Sequence, residues 1–186
     1  MADTLHPDAF RWPLHTIDFE ASHLGKHSYP IEIGVCIWDG PDHDARTWSS
    51  LIGRTDDWLR RGVWNEDSER IHGISRGMLD DAPTPAEALR AANRFLGVGA
   101  IVYCDGGSYD AYWLERLSTA AGILPSFTLG SWHLVGHNMD EDQRLKLHSH
   151  RAEDEIAHRA AADAEDHVRA FCHALGIPEP SFERVR

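Results

Sequence analysis

The chain has 186 residues, of which 42% are hydrophobic and 26% charged, the size and make-up of one ordinary globular domain rather than a disordered chain or a multidomain assembly. Eighteen basic against thirty acidic residues give a net charge of -12, which excludes a broad basic track for long nucleic acid and requires that any phosphate-bearing partner be held locally. No run approaches the roughly 18 apolar residues of a membrane span, and the polar, acidic opening Met1 to Asp8 lacks the pattern of an export signal, so a cytoplasmic protein is expected.

In chain order, Leu14 to Phe19 and Ile31 to Trp38 read as two strands, and the turn signal Asp39-Gly40-Pro41-Asp42 returns the chain into a third, Thr47 to Gly53, making an antiparallel meander. Trp58 to Leu79 is mixed. After Pro83-Thr84-Pro85, Ala88, Leu89, Ala92, Phe95 and Leu96 recur at helical spacing, with Thr84 as N-cap and Gly97 as stop. Ala100 to Cys104 is a continuous apolar run, read as a strand buried on both faces, and Tyr109 to Ala121 as a helix closed by Gly122. Phe127 to Leu129 is a weak fifth strand, Asp140 to Glu155 a polar loop, and a last helix carries Ala164, Val168, Phe171, Cys172 and Leu175 on one stripe and ends at Gly176. The expectation is a five-stranded mixed sheet flanked by helices, an α/β architecture formed by one domain over 1–186 with its core at about 12–176. Cys36, Cys104 and Cys172, an odd number without a CxxC pair, read as reduced core thiols, and the seven tryptophans as mostly core.

Three segments carry chemistry. Asp18 and Glu20 alternate with Phe19 along a strand, so both carboxylates point to one face about 7 Å apart while Phe19 enters the other. Two carboxylates aimed together suit a hard divalent cation, although a solvated strand end would also accommodate them. Asp105 and Asp110 flank a strand-to-helix junction, where open α/β sheets place their sites and where a helix cap is the alternative. In His158-Arg159-Ala160-Ala161-Ala162-Asp163, the alanines allow a helix to approach the sheet closely, with Asp163 near its start and His158 just upstream.

Taken in order, Asp18-x-Glu20, Tyr109-Asp110 and His158-x-Ala160-x-x-Asp163 resemble the motifs of the DEDDh 3′-5′ exonucleases, the family of the proofreading subunit of bacterial DNA polymerase III and of ribonuclease T. Ile31-Glu32-Ile33-Gly34 looks like the family's second strand, and Ile71-His72-Gly73-Ile74-Ser75 like the segment between its first two motifs. The resemblance implies a ribonuclease H-like fold, with Asp18, Glu20, Asp110 and Asp163 holding two Mg²⁺ or Mn²⁺ ions and His158 acting as general base. It further implies substrate contacts at Phe19, at Leu24 as an apolar wedge against the terminal base, at His72 facing the scissile phosphate, and at Tyr109. One departure is Asp105-Gly106-Gly107 in the place where many members carry His-Asn-Ala, which leaves substrate contacts there open.

The implied activity is hydrolysis of phosphodiester bonds at the 3′ ends of single-stranded DNA or RNA, releasing nucleoside 5′-monophosphates. This chemistry needs charge stabilisation on the attacking and leaving oxygens and a base that titrates near neutrality, which four carboxylates with cations and a histidine can provide. The alternative is a weak or inactive oligonucleotide-binding module of the same fold. A zinc site at His133, His137, His148 and His150 is a further reading; the commoner case for such spacing is a histidine-rich surface loop. The choice between DNA and RNA, and self-association into a homodimer, stay open.

Overall fold

The computed structural model describes residues 4–149 and 158–185. The meander forms as its alternation demands: β1 (Leu14–Ala21) pairs antiparallel with β2 (Pro30–Trp38), and β2 antiparallel with β3 (Ala45–Leu51). Two short helices, α1 (Asp56–Arg61) and α2 (Glu66–His72), resolve the mixed segment, capped by the side chains of Thr55 and Asn65. Next comes α3 (Pro85–Leu96), with Thr84 and Glu87 forming a reciprocal capping box and Gly97 at its C-cap. β4 (Ile101–Cys104), α4 (Ser108–Ala121) and β5 (Thr128–Ser131) make two further parallel additions to the sheet.

The remaining elements are α5 (Glu141–Ser149), α6 (Ala160–Leu175) and β6 (Phe182–Arg184), and the sheet order is β5-β4-β1-β2-β3-β6. The sheet therefore has six strands rather than five, because β6 adds in parallel to the outer edge of β3. Three residues are too few to show alternation.

Two other expectations are corrected. Ile101 is 54% exposed, so β4 is not buried on both faces; Val102 and Cys104 alone are deeply buried. Residues Glu141–Ser149, expected as loop, form a helix because Gln143 is held from outside: its Oε1 accepts the Leu5 N–H at 2.8 Å and its Nε2 donates to the Leu5 carbonyl at 3.0 Å. Residues 150–155 of the expected loop, including His150, lie outside the described residues.

Alternation along β1 and β2 divides the core in two. Ile17, Phe19, Ile31, Ile33, Val35 and Ile37 face one side and pack with Leu89 of α3 and Trp113 and Leu117 of α4. Leu14, Cys36 and Trp38 face the other side, where Ala164, Val168 and Phe171 of α6 cover them. All three cysteines are free and buried.

Close approach of α6 to the sheet depends on Gly34. A Cβ at that position would stand 2.1 Å from the Ala160 carbonyl carbon, a separation that no rotamer change relieves. Gly34→Ala is therefore expected to push α6 off the sheet, with a loss at or above the roughly 1–3 kcal/mol typical of overpacking. Urea denaturation measures that loss; a variant as stable as the parent would refute the contact.

Candidate active site

The register of β1 against β2 builds one half of the site. Asp18 lies opposite Gly34 and Glu20 opposite Glu32, so Asp18 and Glu20 share the face on which α6 begins. Because Gly34 has no side chain, the first turn of α6 settles beside Asp18, and the Thr16 hydroxyl fixes the helix farther along by donating to the Ala164 carbonyl at 2.6 Å. Asp163, in that first turn, is thereby delivered to the two strand carboxylates. Ligand oxygens of Asp18, Glu20 and Asp163 lie within 4.8 Å of one another, the group of three converging cation-binding side chains found among the described residues.

Asp110 approaches from the first turn of α4. Its carboxylate tucks against the backbone of Gly106, where a Cβ would be 2.6 Å from Oδ2, so a side chain at that position would displace the carboxylate. The residue is 1% exposed and its Oδ2 is buried without a hydrogen-bond partner. His158 lies immediately before α6, its side chain 64% exposed, with Nδ1 3.7 Å from Asp163 Oδ2.

Crowding of like charge is written into the titration of these groups. Burial, then Glu20, Asp110 and Asp163, push the Asp18 carboxyl well above its ordinary value. Burial and Asp163 raise Glu20 to about 8, and burial raises Asp110 to about 6. Asp163 is raised as well, mainly by burial. A cluster that resists ionisation when bare, with one buried oxygen left unpartnered, fits divalent cations, whose charge would offset both the repulsion and the desolvation.

A stability test follows from Glu20. The metal-free fold holds a proton there that the unfolded chain releases near 4.5, so its stabilisation is complete below that pH and is lost as pH rises towards about 8. Glu20→Gln stays neutral throughout. In chelator the variant is expected to melt above the parent at pH 8, with the gap closing near pH 5; equal melting temperatures at pH 8 would remove Glu20 from the strained cluster.

The other residues singled out from the sequence divide between surface and interior. Leu24 is 71% and Tyr109 45% exposed, the Tyr109 ring 5.6 Å from that of Trp113, so both can meet a ligand. Phe19 is 3% exposed and faces the opposite core, so its ring offers no contact to a substrate. His72 is likewise interior at 2% exposure: its Nδ1 accepts the Ile74 N–H at 3.0 Å and its Nε2 is buried without a partner. The rings of His133 and His148 stand 4.7 Å apart, but no third ligand side chain converges with them among the described residues.

Two side-chain pairs beside the site escaped sequence reasoning, because each joins residues far apart in the chain. The buried imidazole of His167 sits with Nδ1 2.8 Å from the Asp163 carbonyl oxygen and Nε2 3.4 Å from Asp105, and it holds the Asp105 carboxyl below the usual range. Asp105 is the residue that departs from the pattern of the resembled family, and the His167 imidazole is its side-chain partner. Glu32, 2% exposed, forms a two-pronged contact with Arg159.

A mixed sheet with a leading antiparallel meander and helices on both faces, with carboxylates on β1, α4 and α6, has the architecture of the ribonuclease H-like fold. No protein-family model and no curated protein matches the sequence. Among solved structures, the chain resembles zinc-bound E. coli ExoI in complex with single-stranded DNA, with a TM-score of 0.62 and 13% identity over 88% of this chain and 39% of that one. It also resembles E. coli Exonuclease I bound to a dA16 oligonucleotide, with a TM-score of 0.59 and 11% identity over 84% of this chain and 39% of the other. At these identities the likeness establishes the shared fold, and the chain spans well under half the length of those enzymes.

Proposed function

We propose that the protein is a metal-dependent 3′-5′ exonuclease that trims single-stranded ends, and that Asp18, Glu20, Asp110 and Asp163 hold two Mg²⁺ or Mn²⁺ ions. The observation carrying this reading is the convergence of three carboxylates within 4.8 Å, with a buried fourth nearby and a histidine beside them. Bound cations would supply charge stabilisation for the attacking and leaving oxygens. His158, exposed at the mouth of the site, takes the proton of the attacking water, and its neighbour Asp163 orients the ring. Leu24 and Tyr109 are the apolar surfaces on which a terminal base can rest. The fold shared with E. coli Exonuclease I, crystallised with oligonucleotides, supports the substrate class.

Incubation of 5′-labelled single-stranded DNA and RNA with Mg²⁺ or Mn²⁺ tests the reading. A ladder of products shortened from the 3′ end, with release of nucleoside 5′-monophosphates, is expected. Oligonucleotides that bind but stay intact would instead establish a binding module.

The net charge of -12 sets how the substrate is gripped. A chain with eighteen basic against thirty acidic residues should neutralise only about two or three phosphates, giving log K a slope against log salt of roughly -1 to -2. Affinity of the Asp163→Ala protein for oligonucleotides of increasing length, measured across a salt series, checks this. A slope steeper than about -4 would reveal an extended basic track.

A further inference from the structure

The Glu32 side chain occupies an unusual place for a carboxylate. It is buried to 2% exposure near the start of β2 and lies directly across from Glu20, whose ionisation it opposes. Such a position is unfavourable unless something recovers the charge. Arg159 does so with two prongs: its Nε donates to Oε2 at 2.9 Å and its Nη2 to Oε1 at 2.5 Å. Oε2 also accepts the Ala160 N–H at 3.1 Å.

That last bond matters because Arg159, the N-cap residue of α6, offers no side-chain cap of its own. Glu32 caps the helix from another strand, where the helix dipole favours negative charge. The Arg159 carbonyl in turn accepts the Asp163 N–H at 3.0 Å, and the His158 N–H donates to the Ile71 carbonyl at the end of α2 at 3.2 Å. Three backbone anchors of the turn that carries His158 and Asp163 thus pass through Arg159 or a residue next to it, while His167 holds the Asp163 carbonyl from within the helix. Both Glu32 oxygens accept from these donors, and the carboxylate is not among the three that converge on the candidate cation site.

We infer that the buried Glu32–Arg159 fork positions the turn from His158 to Asp163, so that both are positioning residues for the base His158; this rests on the nuclease reading above. A contact needed for stability alone could be met by apolar side chains, since buried ion pairs often gain nothing over well-packed hydrophobic replacements. The fork does what an apolar pair cannot: it fixes the direction of one helical N-terminus through three donors on a single carboxylate. Planar guanidinium geometry is essential to this, and lysine cannot reproduce it.

The test uses Arg159→Lys and Glu32→Gln in the full chain, with single-turnover rates at saturating Mn²⁺ and oligonucleotide. Both variants are expected to lose between about tenfold and 10²-fold in the chemical step, the scale of a small misplacement of a reacting group, with unchanged KM. In a His158→Ala background, Arg159→Lys should cause a much smaller further loss, confined to what the misplaced Asp163 contributes, because the base it orients is gone. A parental rate in Arg159→Lys, or an undiminished loss in the His158→Ala background, would overturn the inference. Hydrogen exchange at the Ala160 amide is read in parallel and needs no activity: it should quicken in both variants while the amides of β2 stay protected. If the parent protein proves inactive, the nuclease reading falls and unchanged exchange would overturn the fork as well. If Glu32→Gln fails to fold, Arg159→Lys, whose side chain is 40% exposed, carries the test alone.

Discussion

Asp18→Asn and Asp163→Asn are each expected to lower hydrolysis by about 10³-fold or more, since cation coordination supplies several kcal/mol of charge stabilisation and each 1.36 kcal/mol is tenfold in rate. The two residues come from different elements, β1 and α6, and their oxygens lie within 4.8 Å of each other. Replacing either removes a ligand without removing volume, so the fold should persist. Burial and neighbouring carboxylates already hold Asp18 well above its ordinary pKa, and a neutral amide relieves that strain in the metal-free protein. The same variants should therefore be no less stable than the parent in chelator, and should lose the melting-temperature gain that Mn²⁺ gives the parent. Turnover and melting curves with and without Mn²⁺ check both parts. A variant near parental turnover would strike that carboxylate from the site.

His158→Ala should lower the chemical rate by about 10² to 10⁴-fold, the range expected for loss of a positioned base, with little change in oligonucleotide affinity. The ring is exposed, its backbone N–H anchored to Ile71 and its Nδ1 near Asp163, so its removal leaves no cavity and no buried orphan. Single-turnover measurement separates this loss from effects on binding and release. An unchanged chemical rate would remove His158 from the base role.

Much of this is legible in the sequence. The meander, α3, α4 and α6 follow from alternation, helical spacing and caps, all of them local signals. The spacing Asp18-x-Glu20 dictates a common face through the two-residue period of a strand alone. Register adds what spacing lacks: only the pairing of Asp18 with Gly34 shows why a helix can settle beside that face. Helix α5 is illegible because its stability is borrowed from Leu5, whose backbone pairs with Gln143 from 138 positions away. The Glu32–Arg159 and Asp105–His167 pairs are hidden for the same reason. Family resemblance draws Phe19 and His72 towards the substrate, whereas burial places both in the interior.

The division of the core by the sheet bears on how activity should fail under stress. One cluster, under α3 and α4, is complete without α6, whereas the other consists largely of what α6 covers. His158 and Asp163 belong to α6 and its leading turn; Asp18, Glu20 and Asp110 belong to the sheet and α4. Opening α6 alone would therefore separate His158 and Asp163 from Asp18, Glu20 and Asp110 while the larger cluster stays shut, a sub-global event with its own free energy. On the nuclease reading, the site would come apart before the protein loses its shape, and heat inactivation would report the grip of a single helix rather than the melting of the whole.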